Sequence, residues 1–259
     1  MTEEKTFFKR PDCFATVRQL TIRGTNFELG QELGKLAIER YGKSAGDYKA
    51  NALFAKTRKA YFQRNYPIHW DRTRGVAAAF RLDPGDDNYD LTGLSYNLDM
   101  PMQLPGCSAV YYPPSTTANG AGYLSRNYDF SIDSIADVMQ VPLPPELKGT
   151  MPPVMSEPYI MAWYPEDGGY ASLAIHAFDI LSGTLDGINS AGLVVSMLAD
   201  NEAIDALGPN LEQHPASQQV IGLHELQVMR FLLDTCATTE EAKTALLAAN
   251  TYQSRTMRR

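Results

Sequence analysis

The sequence predicts a layered α+β domain, because helix, strand and helix signals follow one another along its length. Helical spacing of apolar residues dominates the first third. Two-residue alternation with hairpin turn chemistry dominates the middle, and helical spacing returns at the end. With 259 residues, 44 % of them hydrophobic and 20 % charged, the chain has the apolar material for a sizeable core. That balance excludes disorder, a collagen-like repeat and a disulfide-stapled miniature scaffold.

Thr25-Asn-Phe-Glu28 is a capping box, and Phe27, Leu29, Leu33, Leu36, Ala37 and Tyr41 recur at helical spacing until Gly42 stops the run. A second helical stretch is expected over 44–64, where Tyr48, Ala52, Ala55, Lys59 and Phe62 follow the same period more roughly. Asp83-Pro-Gly-Asp-Asp87 and then Pro101, Pro105 and Gly106 are turn chemistry, which puts a boundary near position 106. Ser108–Tyr112 and Gly122–Arg126 read as strands flanking Asn119-Gly120, a hairpin signal.

Further strands are expected at Pro158–Tyr164 and Tyr170–Phe178, around a Glu166-Asp-Gly-Gly169 turn. Thr184–Asn189 and Gly192–Leu198 form another hairpin, turned by Asn189-Ser-Ala-Gly192 with Asn189 in left-handed geometry. Six of the sixteen prolines lie between Pro142 and Pro158, an irregular excursion that reads equally as a lid or a surface connection. Ile221–Thr235 is amphipathic, and Thr238-Thr-Glu-Glu241 boxes a last helix running toward Ala249.

The net charge of −7 speaks against a nucleic-acid surface. Its distribution is uneven: 16 Lys/Arg against 13 Asp/Glu up to residue 106, then 7 against 17. This reads as a solvated acidic surface or as two segments that attract one another. Cys13, Cys107 and Cys236 form no short-spaced pair, so reduced thiols are expected. His69, His176, His214 and His224 show no metal-ligand spacing, and Gly120-Ala-Gly122 lacks the rest of a nucleotide loop. No cofactor or metal is expected. No apolar run reaches the roughly 18 residues of a membrane span, and Met1–Arg10 lacks a signal-peptide core, so a cytoplasmic location is expected.

Cys107 follows Pro105-Gly106 and opens a strand. A small buried core thiol is one reading of such a position. The hairpin opens another. With Ser115–Ala121 as the loop, Pro114 pairs with Gly122 and Cys107 comes opposite Asp129, with Arg126 about 10 Å further along at ~3.3 Å per residue. Arginine favours a thiolate and a carboxylate can hold an ammonium, so this grouping suits a nucleophile.

Pro105-Gly-Cys-Ser-Ala-Val110 followed by Gly122-Tyr-Leu-Ser-Arg-Asn-Tyr-Asp-Phe130 resembles the N-terminal-nucleophile hydrolases that cleave linear amides. These include the choloylglycine hydrolases, penicillin V acylase and the acyl-CoA:6-aminopenicillanic acid acyltransferases of the peptidase C45 group. Ile22-Arg-Gly-Thr-Asn-Phe-Glu-Leu-Gly30 with Gly34, Arg72-Thr-Arg-Gly75, and Val228-Met-Arg-Phe-Leu-Leu-Asp-Thr-Cys236 are similar to the acyltransferase branch. The resemblance implies a four-layer αββα sandwich of antiparallel sheets. It implies a mainly helical pro-segment over 1–106 and a core over 107–259 that begins at Cys107.

It also implies autocatalytic cleavage of Gly106–Cys107. The freed α-amine of Cys107 then serves as base for its own thiol in attacking a small-molecule amide or acyl donor. Asp129 is implied to orient that amine, and Arg126 to tune the thiol or shape the pocket. Asn201 is the candidate for the family's oxyanion asparagine, which is expected near Leu198 or Ala199. The end at Met257-Arg-Arg259 implies a C-terminal truncation, and the two cleaved pieces are expected to stay associated. Two other readings stand beside this one. A conventional thiol hydrolase would use His176 or His224 as base, and an inactive or fragmentary relative would act as a binding or structural module.

Overall fold

The computed structural model describes residues 1–10, 14–96, 106–129, 133–138, 141–147, 149–151, 153, 156–198, 222–249 and 251–252. Strands β1 (Thr2–Lys9) and β2 (Thr16–Gly24) precede three helices, α1 (Asn26–Tyr41), α2 (Ala52–Asn65) and α3 (Pro67–Ala79). A hairpin of β3 (Gly106–Tyr112) and β4 (Tyr123–Asp129) leads through the short α4 (Ile135–Val138) to β5 (Tyr159–Pro165). Then come β6 (Ser172–His176), β7 (Thr184–Asn189), β8 (Val194–Ser196), β9 (Leu223–His224), α5 (Glu225–Thr235), α6 (Thr239–Ala248) and β10 (Thr251–Tyr252).

The fold is mixed α+β around one six-stranded sheet of order β1–β2–β5–β6–β7–β8. Within this sheet β2 and β5 run parallel, in register from Arg18↔Tyr159 to Gly24↔Pro165, and its other pairs are antiparallel. The reading of 1–106 as mainly helical accounts for α1–α3 but not for β1 and β2. These strands tie the first segment into the same sheet as the second. Thr16–Gly24 does carry the strand signature, with Leu20 and Ile22 buried and Arg23 exposed.

Local chemistry sets the helix ends. Thr25 and Glu28 close both halves of the capping box, and Gly42 ends α1 in left-handed geometry at φ 62°. Asn51 caps α2 by accepting from Leu53 and Phe54, so α2 starts later than the expected 44, behind a separate 3-10 turn at Ala45–Tyr48. Pro67 opens α3, where its missing N–H costs nothing. At the last helix Thr238 accepts from the Glu241 N–H, but the Glu241 carboxylate reaches the Ala237 N–H rather than closing the expected box.

Helices cover one face of the sheet. Leu20, Ile22, Tyr159, Met161 and Trp163 meet Leu29, Leu33 and Val76 in the main core. The helices α1 and α3 approach so closely that a Cβ on Gly30 would lie 1.9 Å from the Arg72 carbonyl oxygen, and one on Gly75 equally close to that of Phe27. Further along the sheet, α5 packs on the same face. A Cβ on Gly187 would meet Leu233 at 2.6 Å, and Val195 and Ala174 join Leu232 and Leu233 in a second cluster.

Under this helical layer lies a charged core. Arg72 and Arg230 are both fully buried, and both pair with Asp234, which Tyr66 also engages through its hydroxyl. Trp163 takes both guanidiniums on its ring, at 4.6 Å for Arg72 and 4.9 Å for Arg230. Burial would raise the Asp234 carboxyl, but the two arginines overcome it and hold the group at about 2. His69 and His176, buried beside this cluster, are pushed down to about 3, chiefly by desolvation.

Candidate active site

Gly187 points into the helices, so its neighbours Asp186 and Ile188 point to the other face of the sheet. The β3–β4 hairpin lies on that face. Its register pairs Gly106 with Asp129, Cys107 with Tyr128 and Ala109 with Arg126. The expected register, with Cys107 opposite Asp129, is therefore off by one residue. The connection runs from 113 to 122 and contains a 3-10 turn at Pro114–Thr116, where the sequence reading assumed the shorter loop Ser115–Ala121.

Side chains alternate along a strand, so a one-residue slip exchanges the two faces. Leu124, Arg126 and Tyr128 line the shielded face of β4, together with Cys107 and Ala109 from β3. Asp129 is exposed, across from Gly106.

The guanidinium of Arg126 spans the space between hairpin and sheet. Its Nη2 donates to Cys107 Sγ at 3.3 Å, and its Nη1 donates to Asp186 Oδ1 at 2.5 Å. The same Asp186 oxygen accepts from Ser196 Oγ at 2.6 Å, and Ser196 is the direct cross-strand partner of Asp186. The side chains of Arg126 and Asp186 are 8 % and 16 % exposed, which shields the pair from bulk water, and Cys107 is half-buried. Burial works against the Arg126 charge, but hydrogen bonds to Asp186 and Cys107 outweigh it and hold the group protonated. Burial also raises Tyr128, whose ring lies 5.2 Å from the guanidinium, so its phenol stays neutral.

The arrangement thus sets a guanidinium N–H and a fixed positive charge directly at the Cys107 sulfur. The two histidines considered as bases sit elsewhere. His176 lies on the helix-covered face, stacked on Trp163 and bonded to Thr184 Oγ1 at 3.0 Å. His224 caps α5 by accepting from the Leu226 N–H, and burial lowers it to about 4.

Asn201 lies outside the described residues, as does Cys13. Asn189 ends β7 as expected, but without left-handed geometry; Gly192 takes that role at φ 92°. Instead Asn189 is a hub. Its Oδ1 accepts from Ala191 and Leu193, and its Nδ2 donates to the carbonyls of Leu233 and Cys236, locking the β7–β8 turn to the end of α5. Asp186 and Ser196 escaped the sequence reading. The available signal was a carboxylate inside the expected strand Thr184–Asn189, with a serine opposite it once the Asn189–Gly192 turn sets the pairing.

Among the described residues no group of three or more His, Cys, Asp or Glu is placed to hold a metal ion, and no helix is long and apolar enough to cross a membrane. No curated protein and no solved structure matches the chain significantly. A family model does match, over residues 115–254, a range that contains Arg126, Asp129, Asp186, Ser196 and α5 and begins eight residues after Cys107. That match spans more than half of the 259 residues, and the chain belongs to the acyl-coenzyme A:6-aminopenicillanic acid acyltransferase family, within the N-terminal-nucleophile group.

Proposed function

We propose that the chain is a self-processing cysteine acyltransferase or hydrolase that takes a linear, non-peptide amide or acyl donor through an acyl-enzyme on Cys107. The observation that carries this reading is the Arg126 Nη2–Cys107 Sγ hydrogen bond of 3.3 Å at the start of β3. In the first step the Cys107 thiol attacks the Gly106 carbonyl. The C–N bond breaks, the Cys107 nitrogen takes up a proton, and a thioester forms. Water then hydrolyses that thioester, leaving a carboxylate on Gly106 and a free α-amine on Cys107. Glycine suits the scissile position because it leaves the attacked carbonyl uncrowded.

The α-amine, with a reference pKa of about 7.7–8.0, accepts the thiol proton and replaces a histidine base. The thiolate attacks the donor carbonyl, and the leaving group departs with a proton. Water or an acceptor amine then resolves the acyl-enzyme. Asp129 is assigned to the new ammonium. Its register position opposite Gly106 supports this, because cleavage creates the amine beside that position. Asn201 remains the candidate oxyanion donor.

In this reading the six-stranded sheet under its helices and the β3–β4 hairpin on the other face are parts of a four-layer αββα sandwich. The pieces 1–106 and 107–259 stay joined after cleavage. Support comes from the β2–β5 ladder, which runs over seven residue pairs between them, and from their opposite charge bias.

Intact mass of the purified chain beside Cys107→Ala tests the reading. Wild type is expected as pieces of 106 and 153 residues and the variant as one uncut chain. A single uncut wild-type mass overturns self-processing and points to an inert relative that keeps the fold for binding.

A further inference from the structure

Arg126 has a long, flexible side chain on a hairpin, yet one N–H must stay on a half-buried sulfur. Two hydrogen bonds define the plane of its guanidinium, one to Cys107 and one to Asp186, and its Nε is buried with no partner among the described residues. The thiol and the arginine are both on the hairpin, so neither anchors the other to the rest of the molecule. Asp186 does, because it belongs to the sheet. Gly187 seats β7 against Leu233, Asn189 ties the end of β7 to α5, and Ser196 occupies the same Asp186 oxygen from the neighbouring strand. The carboxylate is thus held by contacts other than Arg126.

We infer that Asp186, oriented by Ser196, is a positioning residue that aims the Arg126 guanidinium at the Cys107 sulfur. The inference rests on the reading of Cys107 as the nucleophile. It is distinguishable from a charge effect by sign. A carboxylate beside the site disfavours the thiolate by Coulomb repulsion, so removing only its charge speeds thiolate chemistry. Losing its aim slows that chemistry. Among the described residues Arg126 and Tyr128 from β4 act on the sulfur directly, and Asp186 from β7 stands behind Arg126.

The experiment follows iodoacetamide alkylation of the Cys107 peptide by mass spectrometry, as the rate at pH 7 relative to the same chain's rate at pH 10. Chains are compared in the same processing state, established by intact mass. Asp186→Ala, which removes acceptor and charge, is expected to lower the ratio about tenfold, the scale of one charge-assisted hydrogen bond. Asp186→Asn keeps an acceptor oxygen for Arg126 and Ser196, and its ratio is expected to stay at or above wild type.

Arg126→Met is expected to match Asp186→Ala, and the double variant to fall no further, because one residue acts through the other. An unchanged or raised ratio in Asp186→Ala, or additive losses in the double variant, overturns the inference. If Asp186→Ala does not fold, Ser196→Ala decides: it is expected to lower the ratio two- to threefold, and an unchanged ratio overturns the inference. If wild type is cut, processing is a second readout. Cleavage lost in Asp186→Ala and kept in Asp186→Asn supports positioning, and the opposite pattern overturns it. An uncut wild type whose Cys107 still follows these ratios fails the processing reading alone.

Discussion

Arg72 and Arg230 meet Asp234 beneath the helices, whereas Arg126 meets Asp186 on the other face of the same sheet. The ion chemistry is shared and the surroundings differ. In the first cluster all three side chains are fully buried, two cations share one anion, and the Trp163 ring takes the remaining positive faces. In the second, one cation meets one anion, both keep slight contact with solvent, and the guanidinium spends an N–H on a thiol. The sealed cluster joins α3, α5 and β5 and spends its hydrogen bonds on architecture. The half-open pair turns one N–H to the Cys107 sulfur. Arginine beside aspartate is thus no functional signal by itself; what the remaining N–H groups touch decides.

Acid sharpens this contrast most. Desolvation holds His69 and His176, beside the sealed cluster, at about 3 in the folded protein, far below the ordinary 6.5. Below pH 6.5 the unfolded chain binds protons that the folded one refuses, so stability is full above that pH and falls as the pH drops. The two together are expected to remove about 5 kcal/mol between pH 6.5 and 4.5. Urea midpoints across that range check it, and His176→Gln is expected to halve the slope. A flat profile breaks the picture of two neutral, sealed imidazoles.

Substitution comes next. Asp234→Ala leaves two buried guanidiniums without their anion and is expected to cost about 3–5 kcal/mol in urea unfolding. Asp186→Ala is expected to cost less than half as much, since Arg126 and Ser196 can turn toward water. Equal losses at the two sites would erase the distinction between the sealed and the half-open pair. The smallest stability effect is expected at Arg126→Met, about 1 kcal/mol, because methionine keeps an apolar side chain of similar length on the shielded face of β4. Its mark is on Cys107 alkylation instead. A large drop in melting temperature for this variant would move Arg126 to the structural side.

Much of this was readable in the sequence wherever a hydrogen bond closes over a few residues. Thr25 with Glu28, Gly42, and the strand Thr184–Asn189 with its turn all appear where their local chemistry puts them. Gly30 and Gly75 stood out only as family-like residues; the closeness of α1 and α3 supplies their reason. Helix α3 itself was hidden because its buried positions include His69, Arg72 and Thr73, which break the apolar stripe that periodicity detects.

The sequence by itself determined the α+β class, the hairpin after residue 106, and the placing of Cys107 and Arg126 on its two strands. These follow from turn residues and from spacing along one chain segment. Only the tertiary structure decided the register of that hairpin, since three residues of loop length separate two pairings that exchange the strand faces. It alone decided that Asp186, backed by Ser196, meets the arginine, because Arg126 and Asp186 are sixty residues apart and no local rule couples them. It also decided that β1 and β2 join the sheet of the second segment. Short-range hydrogen bonding is written in neighbouring residues; the partner of a buried charge is chosen by packing.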